Sequence, residues 1–268
     1  MTTLPFRVLP PSLAGAGRGR LLVERNLRVF RRNWWIIVSG FFEPVFYLLS
    51  IGVGIGHLVG RLPGPRGGTV AYAVYVAPAL LAASAMNGGT YESTMNVYFK
   101  LKMAKTYDGV LATPLGPGAV AAGEIGTALL RGTIYGVAFL TVMAALGDVT
   151  SPWAALALPG AMLIGFAFAA TGMACTTFMR SWADFDLVQL AVVPLFLFST
   201  TFYPLATYPR WLQVVVELTP LYHGVTLLRA LCLGDVHVGL LAHAAYLSAM
   251  GLAGLIVAGR RVRVLLLR

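Results

Sequence analysis

Residues 98–118 read YFKLKMAKTYDGVLATPLGPG, a basic segment held between two long apolar runs. It contains every lysine of the chain, Lys100, Lys102 and Lys105, and a single acid, Asp108. Leu101, Met103, Tyr107, Val110, Leu111 and Leu115 recur among these charges as apolar anchors. Gly109 weakens a helix here, and Pro114 and Pro117 stop it, because proline lacks the amide donor and clashes with the preceding turn. The segment reads as a short amphipathic helix that lies on a membrane surface or docks into another protein's groove.

The flanking runs make this a membrane protein. Its 268 residues are 58% hydrophobic and only 11% charged, with mean hydropathy +0.77, whereas soluble domains carry about 25% charged residues. A spanning helix needs about 20 mostly apolar residues, and six stretches qualify: 34–58, 70–92, 119–146, 153–179, 187–203 and 238–258. The first is too long for a signal-peptide core and has no small-residue cleavage site after it. The expected fold class is all-α, with an amino-terminal arm (1–33), a six-helix transmembrane domain (34–258) and a basic tail (259–268). In the arm, RGRLLVERNLRVFRRNWW (18–35) alternates Arg25, Arg28, Arg31 and Arg32 with leucine, valine and phenylalanine. That pattern suits a helix in the headgroup plane, with Trp34 and Trp35 as its interfacial aromatic belt.

Cation placement sets the orientation. Lys and Arg number seven before the first span, three between spans two and three, one between four and five, and four after the sixth. The other side holds Arg61, Arg66, Arg210 and Arg229, and Arg131 falls inside span three. The excess puts both termini and the lysine segment in the cytoplasm. The formal charge of +10 is thus a topology signal, and nucleic acid is not an expected partner. On the outer side, YPLATYPRWLQVVVELTPLYHGVTLLRALCLG (203–234) contains two apolar pieces, 210–218 and 221–233, punctuated by Pro204, Pro209 and Pro220. Each is too short to cross, so 204–234 reads as a re-entrant helical hairpin covered by protein.

Few residues could carry chemistry. Glu43, before Pro44, lies about 13 Å beyond Trp34 along a helix, where a carboxyl faces a bundle interior or a wet cavity. Glu124 and Arg131 share one face of span three but are too far apart to pair, so each should find a partner on another helix. Glu92, in the polar run NGGTYEST (87–94), reads as surface-solvated, and Gly88 and Gly89 there permit close helix approach. Asp184 and Asp186 form a solvated turn with Arg180, with no nucleophile nearby. The four histidines lack metal-ligand spacing, Cys175 and Cys232 read as small buried hydrophobes, and no GxxxxGK[ST] loop is present. The GxxxG at Gly56–Gly60 is a weak packing signal.

Four stretches make the chain similar to a known family: YESTMNVYFKLKMAKTYDGVLATPL (91–115), GEIGTALLRG (123–132), RSWADFD (180–186) and PLFLFSTTFYPLATYPRWLQVVVELTPLYHGVTLLR (194–229). Together they resemble the permease subunits of type-2 ABC transporters, a family that includes nodulation-factor, O-antigen and drug exporters. The resemblance implies a subunit of the bacterial plasma membrane that dimerises with an identical or related permease and sits on two ABC ATPases. Those partners bind ATP and Mg, and this chain holds no cofactor. Residues 98–115 would be the coupling helix, contacting the ATPase through Lys100, Leu101, Lys102, Met103, Lys105, Tyr107, Asp108, Leu111, Pro114 and Leu115. Arg180, Asp184 and Asp186 would form a second contact, and the amphipathic arm would be the interfacial helix. The pathway or subunit interface would draw on Phe41, Phe42, Glu43, Phe46, Tyr47, Glu92, Glu124, Arg131, Phe196, Phe198, Phe202 and Tyr203. Two rivals stand beside ATP-driven export. One is an intramembrane lipid-modifying enzyme, which needs convergent catalytic groups that the chain lacks beyond Glu92 and Asp108. The other is an ATPase anchor that moves nothing.

Overall fold

A computed structural model of the protein describes residues 22–26, 46–64, 68–111, 113 and 115–266. Helix α1 is the turn 22–26 and α2 covers 46–59. A small antiparallel hairpin follows, β1 (Arg61–Pro63) and β2 (Thr69–Ala71), with Leu62 opposite Val70. The all-α expectation missed this hairpin because its apolar residues merge with the neighbouring spans. Arg61 pins it by donating from Nε to the Thr69 hydroxyl and from Nη2 to the Thr69 carbonyl, each at 2.9 Å. Helix α3 starts at Tyr72 and runs without interruption through Tyr91 to Met103, passing two wider π-helical turns at Glu92–Asn96 and Phe99–Met103. Then come α4 (Thr106–Leu111), α5 (Pro117–Leu146), α6 (Ala157–Thr176) and α7 (Asp184–Phe198). The chain ends with α8 (Arg210–Glu217), α9 (Pro220–Leu233) and α10 (Leu240–Leu266).

Among the described residues, three helices are long and apolar enough to cross a membrane: Pro117–Leu146, Pro152–Thr176 and Leu240–Leu265. The pair α8 and α9 reaches that standard only when joined, and it bends by 84° at the break, a geometry that a broken span and a re-entrant hairpin share. Of the six expected spans, 34–58 lies in part outside the described residues, and two others, 70–92 and 187–203, fall short for visible reasons. Helix α7 has 15 residues, and the polar run NGGTY (87–91) lowers the hydropathy of α3 beyond its apolar first half. The last helix continues past residue 258 to Leu266 and carries Arg260, Arg261 and Arg263 with it.

Helix α6 is the centre of the bundle, touching α3, α5, α9 and α10. Lipid tails are as apolar as leucine, so such helices associate through close packing, which small residues allow. The buried residues of α6 include Gly160, Ala161, Ala167, Ala169, Ala170 and Gly172. The tightest approaches to its backbone are made by glycines of its neighbours. A Cβ added at Gly89 of α3 would lie 2.7 Å from the Gly165 carbonyl oxygen, and one at Gly254 of α10 would lie 2.7 Å from the Ala170 backbone. The GxxxG pair packs against nothing comparable: a Cβ at Gly56 meets only the carbonyl of Ile51, and one at Gly60 meets nothing.

The hairpin is tied down by Arg229 of α9. Its guanidinium donates to the Tyr75 carbonyl at 3.1 Å and the Thr200 carbonyl at 2.7 Å, and sits 3.8 Å from the centre of the Tyr75 ring. His223 of α9 and His243 of α10 meet Nδ1 to Nδ1 at 2.7 Å, so one ring nitrogen carries a proton that the other accepts. Because Gly254 faces backbone, Gly254→Val should destabilise the detergent-solubilised protein by about 1–3 kcal/mol through overpacking. Gly259→Val, where a Cβ meets nothing within 4 Å, should leave the thermal midpoint unchanged in the same fluorescence-monitored melt.

Candidate transport and coupling sites

The lysine segment is two pieces. Lys100, Leu101, Lys102 and Met103 belong to the end of α3, while Tyr107, Asp108 and Leu111 belong to α4. The break falls at Lys105, whose φ of 45° is left-handed, so the chain turns sharply between them. A single coupling helix over 98–115 is therefore not what forms. Pro114 and the side chains of Asp108 and Leu111 lie outside the described residues.

Two ion pairs anchor this end of the bundle. Lys100 Nζ reaches Glu124 Oε2 at 2.7 Å, and Arg131 Nη1 reaches Glu92 Oε2 at 2.7 Å. Both carboxylates are sheltered, Glu124 at 4% and Glu92 at 12% side-chain exposure. Thus Glu124 and Arg131 do find partners on another helix, and both partners lie on α3. Their seven-residue spacing on α5 matches the eight residues between Glu92 and Lys100. Glu92 is not merely solvated; it also accepts from Asn96 at 2.6 Å. Sequence reasoning missed these pairings because opposite charges on different helices carry no spacing signal. Lys100 points back into the bundle, whereas Lys102 and Lys105 are exposed.

Tyr107 is buried with Leu22, Val110, Val120 and Ile125. Its hydroxyl and Glu124 Oε1 are both buried with no partner other than each other among the described residues, and the phenol faces that carboxylate. Burial first, and the Glu124 charge second, push the Tyr107 hydroxyl above the usual phenol range. In α1, Leu22 is buried and Asn26 Nδ2 donates to the Thr127 hydroxyl of α5 at 3.0 Å. This turn of the amino-terminal arm lies against protein. Arg25 is half-buried beside it, while Arg28, Arg31 and Arg32 fall outside the described residues.

The second expected contact lies against the first. Tyr98 packs edge-on to Trp182 and Phe185 with ring centres 6.1 and 5.2 Å apart, and its hydroxyl donates to the Arg180 carbonyl at 3.5 Å. Asp184 closes the turn by accepting from the Arg180 and Ser181 amides at 2.6 and 3.1 Å, which holds its carboxyl below the usual range. Asp186 is exposed. Beside these, Phe99, Met103 and Trp182 are 51%, 64% and 54% exposed, so three large apolar side chains stand uncovered at the basic end. Trp182 and Phe99 were not among the expected site residues, although an exposed tryptophan in a charged turn is itself a signal.

Of the pathway candidates, Tyr47 and Phe196 line one cavity of about 130 Å³, together with Ser84, Asn87 and Gln189. It lies between α2, α3 and α7, and Gln189 donates to the Tyr91 hydroxyl at 2.6 Å at its edge. Phe202 packs edge-on against Phe196 at 5.3 Å, Phe198 lies tilted against Tyr208 at 6.4 Å, and Phe46 and Tyr203 are exposed. Phe41, Phe42 and Glu43 lie outside the described residues.

Residues 19–233 match the ABC-2 type transporter family. The chain belongs to that family. It is 30% identical over 227 residues to nodulation protein J of Rhizobium meliloti (strain 1021), covering 80% of this chain and 84% of the relative. Nodulation protein J of Rhizobium leguminosarum bv. viciae is 31% identical over 232 residues, covering 80% and 87%. The inner membrane transport permease YadH of Escherichia coli (strain K12) is 24% identical over 204 residues, covering 75% and 77%. The ABC-2 permease described here is thus a multi-pass bacterial membrane protein and a transport subunit, so the lipid-modifying-enzyme reading is set aside.

In this permease Glu124→Leu alone leaves Lys100 in a sheltered site without its counter-charge. Such a change costs about 3–5 kcal/mol, while replacing both partners by apolar residues is close to neutral. We expect Glu124→Leu to destabilise near the lower figure, since Lys100 keeps 16% exposure. Lys100→Met with Glu124→Leu should recover most of the loss, as read from denaturant unfolding in micelles.

Proposed function

We propose that the chain is the permease of an ATP-driven exporter for a lipid-linked, glycan-like or hydrophobic substrate. Two separate ABC ATPases, which bind ATP and Mg, dock on its basic end, and that end and both termini face the cytoplasm. A second permease, identical or related, completes the pathway. The observation that carries the docking assignment is the ring cluster of Tyr98, Trp182 and Phe185. It joins the two loops facing that end into one surface, with Phe99, Met103 and Trp182 uncovered and Lys102 and Lys105 exposed beside them.

The mechanism follows from how that surface is held. Closure of the ATPases around ATP displaces the ends of α3 and α4. The ion pairs Lys100–Glu124 and Glu92–Arg131 make α3 and α5 move as one body, so displacement passes into the bilayer instead of being absorbed at the loop. ATP drives the cycle because it binds the closed state better than the open one. The cavity lined by Tyr47, Gln189 and Phe196 is where a pathway would open. At about 130 Å³ it is below the roughly 300–1,000 Å³ of a ligand site, which is consistent with a second permease supplying the other wall. The names of two relatives, nodulation protein J and an inner membrane transport permease, support the transport reading.

Phe99→Glu with Met103→Glu should cut ATPase co-purification at least tenfold and abolish substrate-stimulated ATP turnover. The thermal midpoint of the permease alone should not change, since both side chains are exposed. Undiminished co-purification and turnover in this variant would remove the docking assignment.

A further inference from the structure

Helix α7 is loosely held: among its residues only Val192 is buried, and Leu187 and Leu190 are 65% and 70% exposed. Between its inner face and helices α3 and α6 runs a second cavity, about 660 Å³. Its walls are apolar, with Phe168, Cys175 and Met179 on one side and Leu187, Ala191 and Leu195 on the other. Arg180 and Asp184 sit at one end, and Pro220 of the hairpin and Met250 of α10 also line it.

We propose that this groove binds one anionic phospholipid of the surrounding bilayer, an acyl chain lying along α7 and the phosphate held by Arg180 and Arg261. Length is the first argument. From Phe168 to Thr176 the helix rises about 12 Å, and the turn to Arg180 extends the groove to the basic end. That is close to one leaflet, about half of a 30 Å hydrocarbon core. Volume is the second, since 660 Å³ lies within the roughly 300–1,000 Å³ of small-ligand sites, which suits the one acyl chain that lies along α7.

Charge decides the headgroup. The Arg180 backbone amide is spent on Asp184, but its side chain is exposed. Among the described residues Asp184 is the one acid lining the groove, and its carboxylate is satisfied by two backbone amides. Arg261 of α10 lies over the ring of Phe178, another lining residue, at 4.2 Å. Its Nε is buried and has no hydrogen-bond partner among the described residues. With Nε covered, the outer guanidinium nitrogens are the ones a phosphate oxygen would meet, and arginine binds phosphate through paired N–H groups. A zwitterionic lipid offers the same chain but brings a cationic amine to these arginines. The inference requires only that α6 and α7 cross a bilayer, and it stands whether or not the ATPase docking assignment holds.

Cys175 is an exposed thiol on the groove wall, and Cys232 is buried, so alkylation of Cys175 reports occupancy. The full chain in mild detergent is treated with N-ethylmaleimide after adding phosphatidylglycerol or phosphatidylcholine of identical chains, and modification is counted by peptide mass. We expect phosphatidylglycerol to slow Cys175 modification at least fivefold and phosphatidylcholine less than twofold. Arg180→Gln and Arg261→Gln should each shrink that difference, and together abolish it. Ala191→Trp, which fills the trough from an exposed helix face, should slow modification without lipid and make added lipid irrelevant. Equal protection by both lipids would overturn the proposal in favour of unspecific acyl packing. A thiol that is unreactive without lipid but becomes reactive on dilution of the protein would overturn it in favour of a second permease copy covering the groove.

Discussion

A lysine and a glutamate 24 positions apart, Lys100 and Glu124, meet at 2.7 Å in a sheltered site near the basic end of the bundle. Neither charge is stable alone at that depth, because a membrane protein can keep an ionised group away from water only by pairing it or hydrating it. The pairing therefore constrains the register of α3 against α5, and the second pair, Glu92 with Arg131, repeats the constraint about two helical turns away. With both in place, α3 and α5 cannot slide or rotate past each other without stranding a charge. Everything attached to the end of α3 is then mechanically continuous with the bundle: the exposed Phe99 and Met103, the sharp turn at Lys105, and Tyr98 with the Trp182 turn packed on it.

The interior relies on a different principle. Burial against lipid offers little drive, so α6 gathers its neighbours by letting their backbones come close, at Gly89 and Gly254 above all. Where close packing gives way, the exceptions are instructive. Helix α7 keeps most of its surface uncovered, and both cavities lie along it, a small one toward α2 and α3 and a long apolar one toward α6. A transporter needs one element that can change neighbours, and α7, with Val192 its one buried residue, is a natural candidate. The hairpin opposite is held by specific polar contacts, Arg229 on two carbonyls and the shared proton of His223 and His243, which locate it without filling the space beneath α7.

Much of the architecture was legible in composition and punctuation. Apolar runs, prolines and glycines marked the helices of the bundle, and the proline-broken pieces 210–218 and 221–233 coincide with two helices bent by 84°. The shared face of Glu124 and Arg131 announced that partners lay on a neighbouring helix. Less was legible at the lysine segment, where one helix was expected and two pieces form. The apolar periodicity there is shared by the end of α3 and by α4, and only the left-handed Lys105 separates them. Helical continuation of Arg260, Arg261 and Arg263 beyond the last span was likewise hidden, because a basic run reads as a tail until its helix is seen to carry it into contact with Phe178.

The membrane class and the family followed from the chain alone, since they depend on local hydropathy and on motifs contiguous in sequence. Which charge meets which, and that Tyr98 of α3 packs on the Trp182 turn, emerged only in three dimensions. So did the long trough beside α7 with two arginines near one end. These features depend on how helices distant in sequence are rotated against one another, and that rotation is settled by packing and charge pairing between helices that no single segment encodes.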